Sequence, residues 1–210
     1  MSAQISLNPM ATTNAYGLFQ TNSAGFTQGD ALDDPSVKFF LAGGVLATDA
    51  ATPIWGGIPI KELIAPTVYP PPAGSGPGSN LGSTVTQAAS NAVITGFSVF
   101  NQAYGGITTP QSTAPLYSPG MSVNYYRLGS GARIPLLIDP ALVSLDGSII
   151  TSQVSWDFAA NKIIAYDAGV GALKVRILKI STSNNLTVNY DGMTGNANWV
   201  SGGVLAVCLI

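Results

Sequence analysis

Val154-Ser-Trp-Asp-Phe-Ala-Ala-Asn-Lys-Ile-Ile-Ala-Tyr166 is the stretch that decides the class of this fold. Val154, Trp156 and Phe158 point one way, and Ser155 and Asp157 the other. That is the period-two alternation of a strand with one buried face. Residues 159–162 read as a turn into a second apolar run at residues 163–166, so the stretch predicts a hairpin. Val154, Trp156 and Phe158 are assigned to the core.

The same rhythm continues downstream. Leu173, Val175 and Ile177 alternate with Lys174 and Arg176, which places Val175 and Ile177 in the core as well. The phase slips near Leu178-Lys179-Ile180, as a β-bulge would make it. Residues 181–185 turn into Leu186-Thr-Val-Asn-Tyr190, and Asp191-Gly192 turns again before Trp199. The terminal run Val204-Leu-Ala-Val-Cys-Leu-Ile210 is continuous enough to be a strand buried on both faces.

Upstream, Met121, Val123 and Tyr125 alternate, and Val93, Phe97 and Val99 share a face. Ile134-Pro-Leu-Leu-Ile138 contains Pro135, which suits an edge strand. Val37-Lys-Phe-Phe-Leu41 and Ile58-Pro-Ile-Lys-Glu-Leu-Ile64, punctuated by glycine pairs, predict further short strands. Residues 70–83 are so rich in Pro, Gly and Ser that they form a linker or exposed loop. Residues 1–35 hold no persistent apolar period and read as an extended N-terminal arm. No capped helix of three turns and no internal repeat appears. The expectation is an all-β protein: a compact barrel or sandwich, jelly-roll-like, of short antiparallel strands over residues 36–210, with the arm before it.

Charge is scarce. The 210 residues include eight Lys and Arg, ten Asp and Glu, and no His, where an average domain is about one-quarter charged. Hydrophobic residues are 46% of the chain, enough for a sizeable core. The basic residues are scattered, and the densest group, Lys174, Arg176 and Lys179, reads as the wet face of one strand. Nucleic acid is therefore not an expected partner. No apolar run approaches the roughly 20 residues of a membrane span, and the N-terminus lacks the regions of a signal peptide, so synthesis in a cytoplasm is expected.

The inventory also argues against catalysis. Without His there is no triad, and Glu62 is the only Glu. Cys208 is the only cysteine and lies in an apolar run, so it reads as a buried, inert thiol. Zinc is excluded by the donor set, and no cofactor is expected. Asp139 and Asp146, beside Pro and Gly, fit local turns better than an acid/base pair. Asp30, Asp33 and Asp34 lack the ligand spacing of a calcium loop and read as a solvated turn. Asn185-Leu-Thr187 matches a glycosylation sequon and is taken as chance.

The aromatic residues are the better guide to binding. Tyr16, Phe19 and Phe26 in the arm have no local core to join, which makes Phe19 and Phe26 candidate anchors in a neighbouring subunit. Tyr126, opposite in phase to Tyr125, is the candidate exposed contact. With Trp156 and Trp199 it also admits an alternative, a receptor- or glycan-binding β-domain of a phage head or tail fibre.

Gln153-Val-Ser-Trp-Asp-Phe158, Lys162-Ile-Ile-Ala-Tyr166, Leu173-Lys-Val-Arg-Ile-Leu178, Thr187-Val-Asn-Tyr-Asp191, Ala197-Asn-Trp199 and the hydrophobic terminus recur in an order similar to cement or decoration proteins of tailed bacteriophages. The resemblance covers residues 148–210. It implies a β-rich, non-enzymatic protein of the virion that binds the capsid exterior at joints between capsomers. Its partner would be the major capsid protein. Low charge fits that role independently, because a surface with few ionised groups loses little hydration when covered. Sheet edges and symmetric sites make a homo-oligomer, dimer or trimer, the accompanying expectation.

Overall fold

The computed structural model describes residues 4–5, 19–20, 25–31, 37–63, 83–100, 113–146 and 153–210. Two short strands, β1 (Gln4–Ile5) and β2 (Phe19–Gln20), pair antiparallel in the arm. The body opens with β3 (Leu41–Leu46), β4 (Pro59–Leu63), β5 (Ser83–Gln87), β6 (Gly96–Ser98) and β7 (Ser122–Arg127). It continues with β8 (Arg133–Leu137), β9 (Val154–Asp157), β10 (Lys162–Ala165) and β11 (Arg176–Ser181). The last three are β12 (Leu186–Asp191), β13 (Asn196–Ser201) and β14 (Leu205–Leu209). Helical structure among the described residues is confined to short 3-10 segments at Lys38–Phe40, Asn91–Val93 and Pro140–Leu145.

The protein is all-β. Five strands close a barrel in the order β3-β5-β4-β6-β7, with β7 returning to β3. Closure removes the edges that an open sheet would expose. Its pairs are antiparallel except β3 with β5, which is parallel. Beside the barrel lie a three-stranded sheet, β11-β14-β8, and the hairpins β9–β10 and β12–β13.

The particulars follow the sequence. In the β9–β10 hairpin Trp156 faces Ile163, and Asn161 at the turn adopts φ 51°, which Asn tolerates better than most residues. The register of β11 against β14 shifts between Ile177 and Lys179, where the alternation slips. β14 sits in the middle of its sheet and is buried along most of its length, whereas β8, which carries Pro135, takes an edge. Val154, Trp156 and Ile177 are buried in the core, and Phe158 and Val175 are half-buried against it.

Two apolar clusters form among the described residues, and each draws on both the barrel and the C-terminal strands. One gathers Phe97 and Tyr126 with Ile134, Leu136, Trp156, Ile163 and Cys208. The other gathers Leu46, Ile60, Val85 and Tyr125 with Leu186, Val188 and Trp199. Three aromatic pairs stitch the halves together: Trp55 with Tyr190 at 5.3 Å, Phe97 with Trp156 at 5.6 Å, and Phe100 with Trp199 at 5.1 Å between ring centroids. Such pairs add about 0.5–1.5 kcal/mol each beyond the area they bury.

Four expectations are corrected. Tyr126 is buried, 4% exposed, because the outer face of β7 is where the C-terminal strands pack; it belongs to the core and is not an exposed residue. Lys38–Phe40 is a 3-10 turn, with β3 starting only at Leu41, since two adjacent Phe cannot both face inward along a strand. Residues 25–30, assigned to the extended arm, are packed into the body, with Thr27, Gln28 and Asp30 buried. Asp30 is accordingly no solvated turn. Asp33, Asp34 and the loop at residues 70–82 lie outside the described residues.

Candidate docking face

Asp139, Asp146, Cys208 and Asn185, weighed above for chemistry or modification, are committed to structure. Asp139 caps the segment Pro140–Leu145, accepting from the Ala141 amide at 2.9 Å, and pairs with the Lys162 ammonium at 2.7 Å, which lowers its pKa. Asp146 accepts from the Ile180 amide at 2.8 Å. Burial pushes the Cys208 thiol far up, so it holds its proton. Asn185 is 1% exposed, and its side chain holds the Phe26 amide and the Ser181 and Gly203 carbonyls, leaving no amide to glycosylate. No group of three or more His, Cys, Asp or Glu is placed to hold a metal ion among the described residues.

Glu62 is a strongly perturbed acid among the described residues, and its signal was missed because its partners are far apart in sequence. Arg127 grips it with two hydrogen bonds, Nε to Oε2 at 2.8 Å and Nη2 to Oε1 at 2.7 Å. The hydroxyls of Ser83 and Tyr125 also donate to Oε1. Members from β4, β5 and β7 thus meet at one end of the barrel. The Arg127 bond is the largest influence on Glu62, and the two hydroxyls add to it; against the opposing effect of burial they hold the pKa at about 2. A carboxylate so fully engaged is a poor base. It is a tie across the barrel end.

This tie has a pH signature. Glu62 binds its proton less readily when folded than the ordinary value of 4.5, so it contributes stability that is present above pH 4.5 and lost as pH falls toward about 2. Urea midpoints measured across that window should fall for the wild type and fall less steeply for Glu62→Gln. Asp139 and Asp191, whose pKa values are also lowered, keep some slope in the variant.

The exposed large apolar side chains are localised. Of the nine among the described residues, six lie around β3: Phe39, Phe40, Leu41, Val45, Leu63 and Met121. Phe39 is 91% and Phe40 60% exposed, displayed on the Lys38–Phe40 turn whose Phe40 amide bonds the Val37 carbonyl at 2.8 Å. Alternation turns Leu41, Gly43 and Val45 outward from the barrel, and Gly43 adds no side chain to cover its neighbours. The register then sets Val45 beside Thr84 and Thr84 beside Leu63, a row across three strands. By strand geometry the face is roughly 10 Å across the strands and roughly 13 Å along β3. Lys61, exposed beside Thr86, has no ion pair among the described residues.

The predicted contacts fall elsewhere. Phe26 is half-buried with the Lys179 ammonium 6.0 Å from its ring centre, an intramolecular role. Tyr16 and the side chain of Phe19 lie outside the described residues. The pair Phe39-Phe40 was the available signal for the face, because adjacent aromatics before a glycine pair cannot both serve a strand's core side.

No helix among the described residues is long and apolar enough to cross a membrane. No protein-family model matches the chain, and neither a curated protein nor a solved structure matches it.

Proposed function

We propose that the chain is a non-enzymatic structural protein of a virion, binding the outer surface of an icosahedral phage head and cementing neighbouring capsomers. The observation that carries this reading is the apolar face around β3, with Phe39 and Phe40 foremost. Large apolar side chains grouped on one exposed face, rather than scattered singly, are what an interaction surface presents. Aromatic residues are the usual anchors of such surfaces. Lys61 at the margin favours a partner surface that is apolar with a carboxylate facing it. The glycan-binding alternative loses its leading residue, because Tyr126 is buried.

The test is co-sedimentation with expanded phage heads. The wild type should saturate the heads, and the triple variant Phe39→Ser/Phe40→Ser/Leu63→Ser should bind at least tenfold more weakly. Loss of two aromatic anchors at about 2 kcal/mol each would exceed that. The substitutions are on the surface, so unfolding midpoints should hardly move. Heads that do not bind the wild type refute the capsid reading. Equal affinity of the two proteins refutes this face.

A further inference from the structure

Residues 25–30 are held against the body as a strap, by one isolated β-bridge and a turn that follows it. Thr27 bridges Leu186 in parallel; the Leu186 amide donates to the Phe26 carbonyl and the Gln28 amide to the Leu186 carbonyl, both at 2.9 Å. Gly29 donates to the Pro135 carbonyl at 2.8 Å and accepts from the Phe100 amide at 3.0 Å. Two side-chain bonds fix the register: Asn185 Oδ1 accepts from the Phe26 amide, and Gln28 Oε1 from the Val188 amide, each at 3.0 Å. The slot therefore spans β8, β12 and the end of the segment after β6.

Its ends read glycine. A Cβ on Gly25 would lie 1.7 Å from the Asn184 carbonyl oxygen. One on Gly29, whose φ is +71°, would lie 2.1 Å from the Gly56 carbonyl carbon. Backbone rather than flexible side chain stands in both places. The slot thus calls for glycine at both ends and is fitted by the Gln28 side chain, and every copy of the chain carries Gly25-Phe-Thr-Gln-Gly29.

We propose that this slot is a peptide-binding site which accepts residues 25–30 of a second copy, so that neighbouring copies exchange straps. Seating of the strap depends on backbone bonds and a fitted side chain, not on which molecule supplies them. Exchange of an identical element is a low-cost route to oligomers. Only residues 31–36 separate the strap from Val37, so its effective concentration in cis is on the order of millimolar, and exchange wins where copies are packed to a comparable density. A particle surface provides that density. That last clause rests on the proposed function; exchange itself does not.

The experiment uses two full-length chains, Thr27→Cys and Leu186→Cys, mixed, refolded under reducing conditions and then oxidised. Thr27 and Leu186 are bridge partners, so a disulfide-linked heterodimer reports a strap seated in the other chain. A heterodimer is expected after refolding at millimolar concentration and not at micromolar. Monomers alone at both concentrations overturn the proposal. Because Leu186→Cys thins the core, a second measurement follows a fluorescent peptide of residues 25–31 added to full-length Gly29→Val, whose own strap is excluded. Saturable binding of that peptide, and at least tenfold weaker binding of the same peptide carrying Gly29→Val, is expected. Equal binding or none overturns it. Failure of the chain to bind phage heads would leave all these outcomes unchanged, so the two ideas fail separately.

Discussion

Trp156→Ala should lower the stability of the folded chain by about 3–5 kcal/mol, the cost of emptying a large aromatic site in a packed core. Trp156 is fully buried, lies edge-on to Phe97 at 5.6 Å, and belongs to the cluster that joins barrel and C-terminal strands. Removing it takes the partner from Phe97 and leaves a cavity lined by residues from both sides. The companion variant Trp156→Phe should cost much less, within about 1 kcal/mol. The indole Nε1 is buried without a hydrogen-bond partner among the described residues, so losing it removes a desolvated donor that offsets the smaller ring. Urea unfolding of the three proteins checks this. Equal losses for Ala and Phe would mean that ring volume is not what the site requires.

Gly29→Val should be the second severe change, costing about 3 kcal/mol or more. Part is conformational, since a β-branched residue at positive φ is strained by roughly 1–2 kcal/mol. The larger part is steric: no Cβ fits 2.1 Å from Gly56, so the strap must leave its slot. That forfeits the Gly29–Pro135, Phe100–Gly29 and Gln28–Val188 hydrogen bonds, each worth about 1 kcal/mol net. The loss should be local. Hydrogen exchange should show the Leu186, Val188 and Phe100 amides losing protection first, while Ile134 and Cys208 in the β8–β14 ladder keep most of theirs. Uniform loss of protection would mean that the strap is integral to global folding.

The two variants mark what could be read from the chain and what could not. Trp156 was legible because its alternation with Val154 and Phe158 is local, and the same holds for the bulge after Ile177, the edge position of Pro135 and the buried strand at the terminus. Such features depend on residues within a few positions of one another. The strap was not legible, because Gly25, Gln28 and Gly29 are explained only by Asn184, Val188 and Gly56, each distant in sequence. Glu62 is the same case, with Ser83, Tyr125 and Arg127 brought to it by barrel closure. Tyr126 failed for a related reason: alternation says that it opposes Tyr125, and in a strand packed on both faces opposition does not mean exposure.

The candidate face was half legible. Low charge indicated a surface suited to being covered, and the arm aromatics were the natural anchors to suspect. The fold instead displays Phe39 and Phe40, residues first assigned to a strand, and draws Phe26 inward. Deleting residues 1–24 is consequently the proper test of the arm, because a deletion reaching residue 30 also removes the strap.

A cryo-EM map of the phage head that carries this chain tests the central claim most directly. The account predicts copies on the outer shell in fixed stoichiometry with the capsid protein, at joints between capsomers, with Phe39, Phe40 and Leu63 buried against it. A chain absent from the shell, or present there with the β3 face turned to solvent, would contradict it.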